Sequence, residues 1–169
     1  MPRSRASFAG FPKTTLPFFQ KLAKNNNREW FEANKAVYES EVKAPMLALV
    51  DAIGRDMIDY APEFIPEDLK KAIFRIYRDV RFSKDKTPYK TNIAAAFRRQ
   101  GLGKNEGASF YVHLDNQEFL VAAGIYMPDP DLLRRLRAHV ERHHERLRAI
   151  VNDKPRRKLV GDLQGDVMT

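Results

Sequence analysis

Residues 74–91 read Phe74-Arg-Ile-Tyr-Arg-Asp-Val-Arg-Phe-Ser-Lys-Asp-Lys-Thr-Pro-Tyr-Lys-Thr91. Phe74 and Ile76 alternate with polar or amphipathic neighbours, a pattern typical of a β-strand, in which successive side chains point to opposite faces. A loop rich in cations follows and closes on Thr87-Pro-Tyr89. Because aromatic and branched side chains are interleaved with the basic ones, the stretch is unlike a solvated tail. It predicts a packed element that holds basic groups in fixed positions.

Four segments around this stretch have the composition and alternation of strands. They are residues 73–79, 91–98, 109–114 and 118–126. The last two are joined by a short polar turn, Asp115-Asn-Gln117, which predicts a β-hairpin. Short links favour antiparallel pairing, because parallel strands need longer crossover connections. We therefore expect an antiparallel sheet of about four strands.

The segments on either side of the strands carry apolar residues at helical spacing. On the N-terminal side, Asn27 is a candidate N-cap, and Pro45 is expected to kink or restart a helix because it lacks an N–H donor. On the C-terminal side, Asp129 and Pro130 mark the start of a long helix whose apolar stripe reaches Ile150. The predicted fold class is α+β, with the sheet packed by N-terminal helices and one long C-terminal helix.

Length and composition indicate the class of protein. At 169 residues, of which 43% are hydrophobic, the chain is expected to form a single globular domain over residues 1–169. It has no cysteine, which excludes disulfides, thiolate metal ligands and cysteine nucleophiles. The N-terminus lacks the apolar core of a signal peptide and no apolar run has the length of a membrane span, so we expect a cytoplasmic protein with no membrane partner. The formal net charge of +8 favours an anionic partner.

The basic motif of residues 74–91 is the candidate binding site. Guanidinium groups bind carboxylate or phosphate oxygens in pairs, and lysines add compact charges. We expect an anionic, phosphate-bearing small molecule to be held by the cations of the motif and one tyrosine, namely Arg75, Arg78, Arg81, Lys84, Lys86, Tyr89 and Lys90. Asp79 and Asp85 are weak candidates for acid–base work. Ion pairs between these acids and the neighbouring cations explain them equally well.

No metal site is predicted. His139 and His143 have the i, i+4 spacing of a helix, but nearby arginines disfavour a bound cation. Val140 stands where the zinc-protease pattern requires glutamate. The sequence identifies no cofactor, and it leaves open both the oligomeric state and whether the protein is an enzyme.

Two motifs taken together resemble a known family. The two motifs are Asn26-Asn-Arg-Glu-Trp-Phe31 and the later Arg75-x-x-Arg-Asp-x-Arg-Phe-Ser-Lys-Asp-Lys-Thr-Pro-Tyr-Lys90. A further stretch, Gly124-Ile-Tyr-Met-Pro128, also fits. This combination is similar to the DUF2461 family, whose name records an unknown function, so the resemblance implies no catalytic residues. Members of the family usually continue well past the point at which this chain stops. The resemblance therefore leaves room for a C-terminal segment that completes the site.

Three functions fit these observations. The leading hypothesis is a pocket for the phosphate-bearing ligand. The second is a nucleic-acid binder in which Tyr77, Phe82 or Tyr89 stacks on bases, although the sequence has no standard nucleic-acid-binding signature. The third is a non-enzymatic interaction module that docks an acidic partner. A concave site would favour the first hypothesis, and a broad basic face would favour the second.

Overall fold

The computed structural model describes residues 8–103 and 105–162. They divide into two compact units, the first ending at Tyr126 and the second beginning at Met127.

The first unit begins with short helices. Helix α1 spans Thr15–Lys24, α2 spans Arg28–Ala33 and α3 spans Lys35–Tyr38. The side chain of Asn27 accepts a hydrogen bond from the Trp30 N–H at 2.9 Å, so the predicted N-cap of α2 is confirmed.

Pro45 restarts the helix as predicted. A π-helical turn at Glu39–Lys43 precedes helix α4, which spans Ala44–Met57 and has Pro45 in its first turn. Proline leaves the carbonyl four residues back without its helical donor. Here that carbonyl belongs to Glu41, and the buried Thr15 hydroxyl donates to it at 2.6 Å. The hydrogen bond compensates for the missing N–H and ties α1 to the break between α3 and α4.

The sheet is antiparallel and has three strands. After a 3₁₀ turn at Pro62–Phe64 and helix α5 at Leu69–Ala72, the strands are β1, β2 and β3, in that order across the sheet. Their bounds are Ile93–Arg98, Ser109–Leu114 and Phe119–Gly124. The α+β class and the β2–β3 hairpin are confirmed. The sheet has one strand fewer than the predicted four.

The segment expected to form the first strand, residues 73–79, makes two isolated bridges instead. Ile73 bridges to Ala95 in β1, whereas Tyr77 bridges to Tyr89. Beyond Phe74, whose N–H donates to the Ala94 carbonyl at 2.9 Å, the segment leaves β1 and pairs with the far end of the basic motif. This local pairing ends the ladder to β1.

The core lies between the helices and one face of the sheet. Phe19, Phe31 and Phe97 are its largest fully buried side chains. Burial of each such ring contributes about 1.5–3 kcal/mol. On the sheet, Ile93, Ala95 and Phe97 alternate toward the core, and Val112 and Leu114 of β2 join them. The opposite face of the sheet carries the intervening residues of the same strands.

The second unit is helical. Helices α6, α7 and α8 span Pro130–Arg142, His144–Asn152 and Lys154–Val160. Asp129 caps α6 as predicted, accepting from the Leu132 N–H at 2.7 Å. The single long C-terminal helix of the prediction is thus interrupted twice. His143 leaves the helical conformation at φ −125°, and Asp153 adopts an extended conformation as the N-cap of α8.

Within residues 8–103 and 105–162, no helix combines the length and apolar character that crossing a membrane requires.

Candidate anion-binding site

The basic motif folds back on itself as a closed loop. The Arg78 N–H donates to the Pro88 carbonyl at 2.8 Å, and the Lys90 N–H donates to the Ile76 carbonyl at 2.8 Å. These two hydrogen bonds hold the ends of the chain segment together. Residues 79–87, called the basic loop below, project from this base.

Tyr89 anchors the base of the basic loop in the core. Its side chain is buried and its ring stacks on Phe31, with 4.1 Å between the ring centroids and 21° between the planes. Burial raises the pKa of the Tyr89 phenol, and the nearby Tyr77 adds to the effect. Tyr89 is therefore explained by packing, and its role as a ligand contact stays a prediction.

Arg78 and Asp85 pair inside the motif. The Arg78 guanidinium donates to the Asp85 carboxylate and to the Thr87 hydroxyl. The Thr87 N–H donates to the same carboxylate at 2.9 Å. These contacts lower the pKa of Asp85 to about 2, the Thr87 N–H being the largest cause and Arg78 the next. A carboxylate held charged in this way is poorly suited to act as an acid or base near neutral pH.

Arg81 and Asp79 form a second, bidentate pair at the surface. Arg81 Nε and Nη2 donate to the two carboxylate oxygens of Asp79 at 3.0 and 2.8 Å. The side-chain hydrogen bonds from Arg81 are the main cause of the lowered pKa of Asp79, and the charge of Arg75 contributes less. The charges of Arg81 and Asp79 therefore compensate each other.

The remaining cations of the basic loop are exposed. Lys86 Nζ donates to the Val80 carbonyl at 3.0 Å. Lys84 makes no hydrogen bond or ion pair with the part of the chain that the structure describes. Between these cations and Arg81, the Phe82 side chain is 95% exposed, with the Arg81 guanidinium 5.7 Å from its ring centre. The loop thus presents an aromatic ring beside the paired Arg81 and two lysines that have no carboxylate partner among the described residues.

A cleft of about 630 Å³ lies on the face of the sheet that points away from the core. Its floor is mostly apolar and includes Ala94, Ala96 and Ala122. The small side chains of these alanines leave the space above them open. Its polar and aromatic lining comes from the basic motif, from strands β1 and β2, and from Asn92 and Tyr126 beside the strands. These residues include Phe74, Lys90, Asn92, Arg98, Ser109, Tyr111, His113 and Tyr126.

Two cations lie against one aromatic ring at the edge of the cleft. Lys90 Nζ and Arg98 Cζ each lie 5.3 Å from the centre of the Phe74 ring, so they are within twice that distance of each other. Arg98 has no carboxylate partner among the described residues. Cations beside apolar walls attract an anion more strongly than they would in open water. This edge of the cleft is suited to an anionic group.

Tyr111 and His113 line the cleft from β2. The Tyr111 ring centre is 6.1 Å from that of Phe74 and 5.7 Å from that of His113. Burial raises the pKa of the Tyr111 phenol, and Tyr126 raises it further. His113 Nε2 is buried and makes no hydrogen bond with the described residues, and the carboxylate oxygens of Glu118 and Asp115 lie 3.5 and 3.9 Å from it.

The structure does not bring the predicted site residues together. Lys90 lines the cleft, whereas Arg75, Arg78, Arg81, Lys84 and Lys86 do not, and Tyr89 is buried. Sequence reasoning did not include Arg98, Tyr111 or His113 in the site. Strand alternation was the signal that pointed to them, because Arg98 shares a face with Ala94 and Ala96. That alternation does not reveal which face the helices cover.

Among the described residues, no group of three or more histidine, aspartate or glutamate side chains is placed to hold a metal ion.

The chain matches a family model over most of its length. Residues 14–169 match the model of a family described as "Conserved hypothetical protein (DUF2461)". A search of curated proteins and a search of solved structures gave no match.

Proposed function

We propose that this chain, which belongs to the DUF2461 family, binds an anionic, phosphate-bearing small molecule in the cleft on the outer face of its sheet. The observation that supports this best is that Lys90 and Arg98 both lie within 5.3 Å of the Phe74 ring centre at the edge of that cleft. A cleft with apolar walls and a few convergent polar groups is the usual form of a small-molecule site.

The choice of phosphate rests on the chemistry of the two cations. An arginine fork binds two oxygens of a phosphate at once, and a lysine adds a compact point charge. Both groups sit against an aromatic ring, which limits the water that screens them. The basic loop is the weaker candidate, because its two carboxylates, Asp79 and Asp85, are already paired with Arg81 and Arg78.

The proposal contains no catalytic step. Asp79 and Asp85 were the candidates for acid–base work, and both are ion-paired to arginine with lowered pKa values. Neither lines the cleft. Binding is therefore the function that the geometry supports.

Thermal melts against nucleotides, sugar phosphates and polyphosphate test the proposal. A ligand at a hundred times its dissociation constant adds about 2.7 kcal/mol to the free energy of unfolding. For a chain of this size, that raises the melting temperature by roughly 2–8 °C. We expect such a shift with at least one phosphate compound at moderate salt.

Matched variants locate the binding. Lys90→Met and Arg98→Met each remove a charge but keep an unbranched stem, and the shift should be lost in both. Arg99→Met removes the same charge from an exposed neighbour that does not line the cleft, and it should keep the shift. A shift that persists in the Lys90→Met/Arg98→Met double variant would overturn the proposal.

A nucleic-acid binder is the second candidate, and the exposure of Phe82 favours it. An aromatic ring that is 95% exposed beside Arg81 and Lys84 resembles the stacking platforms of single-strand binders. Under this alternative, Phe82→Ala should weaken binding of a short oligonucleotide, and the affinity should fall steeply as salt rises. Under the cleft proposal, Phe82→Ala leaves binding of the small phosphate compound unchanged.

A further inference from the structure

We infer that the ligand of this cleft is a mononucleotide, whose phosphate binds at Lys90 and Arg98 and whose base lies over the floor beside Tyr111. This inference rests on the proposed function, because it names the ligand class of the same site. Two features of the cleft support it, and neither of them is accounted for by a phosphate group alone.

The first feature is the flat apolar floor. Ala96, Tyr111 and Ala122 form one row across the three strands. Neighbouring strands are about 4.8 Å apart, so the two alanines are roughly 10 Å apart with Tyr111 between them. The methyl groups keep the floor low on both sides of the phenol ring. This space accommodates a planar ring, which can lie against the Tyr111 phenol ring and the two methyl groups.

The second feature is the order of groups along the cleft. The two cations sit over Phe74, the Tyr111 ring follows at 6.1 Å from Phe74, and the His113 ring follows at 5.7 Å from Tyr111. The lysine and arginine charges thus lie at one end, and aromatic surface occupies the middle. A nucleoside monophosphate has the same division, with its dianion at one end and its base at the other.

Calorimetric titration with fragments of the ligand measures how much the base and the phosphate each contribute to the affinity. The probes are the four common nucleoside 5′-monophosphates, the four matching nucleosides and ribose 5-phosphate. Because stacking of one base on an aromatic ring corresponds to roughly a tenfold change in affinity or more, we expect at least one nucleotide to bind about tenfold or more tightly than ribose 5-phosphate. The matching nucleoside should also bind more weakly than its nucleotide, since it lacks the charge for Lys90 and Arg98.

Ala122→Leu tests the floor directly. It places a larger side chain next to Tyr111 on an exposed position of β3, away from the core. Nucleotide affinity should fall about tenfold or more, whereas ribose 5-phosphate affinity should change by about twofold or less. Val121→Leu, at an exposed position on the other face of the same strand, is the control and should alter neither.

The outcomes distinguish the two proposals. If ribose 5-phosphate and the nucleotides bind equally well and Ala122→Leu has no effect, the mononucleotide inference is wrong and the anion site stands. If nucleosides bind as tightly as nucleotides, or if Lys90→Met and Arg98→Met change nothing, the anion site itself is wrong.

Discussion

The side-chain amide of Asn26 makes two hydrogen bonds with the backbone of Tyr89. Asn26 Nδ2 donates to the Tyr89 carbonyl at 2.9 Å, and the Tyr89 N–H donates to Asn26 Oδ1 at 3.0 Å. The two residues are 63 positions apart, so this contact joins the turn before α2 to the base of the basic loop. The two motifs that carry the family resemblance are thus in direct contact.

We expect Asn26→Ala to lower the free energy of unfolding by about 1–3 kcal/mol. The substitution leaves the N–H and the carbonyl of Tyr89 without their partners in a partly buried place. Urea unfolding followed by circular dichroism measures the effect. Asn116→Ala, at an exposed turn position, is the matched control and should change the free energy by about 0.5 kcal/mol or less. Equal effects of the two variants would contradict a structural role for Asn26.

Substitution by alanine should lower the stability strongly at one phenylalanine and hardly at all at another. Phe31→Ala removes a ring that is 1% exposed and stacked on Tyr89, so we expect a loss of about 3–5 kcal/mol. Phe82→Ala removes a ring that is 95% exposed, so the loss should be about 0.5 kcal/mol or less. Urea unfolding of both variants checks this. A large loss for Phe82→Ala would mean that the basic loop packs against another part of the protein.

The Asp85 carboxylate should make stability depend on pH in the acid range. Its pKa in the folded protein is about 2, below the ordinary 3.8, so folding favours the charged form. The stabilisation is fully present above about pH 4–5 and is lost as the pH falls through 2. Asp85→Asn should therefore differ from the wild type in unfolding free energy at pH 6, and the difference should shrink between pH 4 and pH 2.

Urea unfolding at a series of pH values from 7 to 2 measures that difference. Asp59→Asn removes one exposed carboxylate that makes no hydrogen bond with the described residues, and it controls for the loss of one negative charge. A difference for Asp85→Asn that stays constant down to pH 2 would show that the pairing with Arg78 and Thr87 does not stabilise the fold.

Local chemistry made several parts of the fold predictable. Asn27 and Asp129 have short side chains that accept from N–H groups two or three residues onward, so their capping is visible in the sequence. The restart of the helix at Pro45 follows from the missing donor of proline. The β2–β3 hairpin follows from a short polar turn between two alternating segments.

The parts that were not predictable depend on contacts between distant residues. The segment from residue 73 to 79 alternates like a strand, but its pairing with residues 88–90 competes with pairing to β1. The compensation of Arg78 by Asp85 depends on how the basic loop closes. Prediction of the cleft would have required knowing that the helices cover only the Phe97 face of β1 and leave the Arg98 face open.

Substitution of Arg78 should affect mainly the stability of the fold, and substitution of Arg98 should affect mainly ligand binding. Arg78→Met removes the partner of Asp85 and Thr87 inside the motif, so we expect the free energy of unfolding to fall by about 1 kcal/mol or more. Since Arg78 does not line the cleft, the dissociation constant of a bound phosphate compound should change by about twofold or less. Arg98→Met should do the reverse, raising the dissociation constant about tenfold because a charge-assisted hydrogen bond is lost.

Urea unfolding gives the free energy of unfolding of each variant, and calorimetric titration at the same salt concentration gives its dissociation constant. Together these values decide whether the ligand binds in the cleft or at the basic loop. Arg99→Met is the control for net charge, because it removes one exposed cation outside the cleft. If Arg78→Met abolished binding while Arg98→Met left it intact, the ligand would bind at the basic loop, where the sequence motif first placed it. The pairing of Arg78 with Asp85 would then be a contact that the ligand displaces.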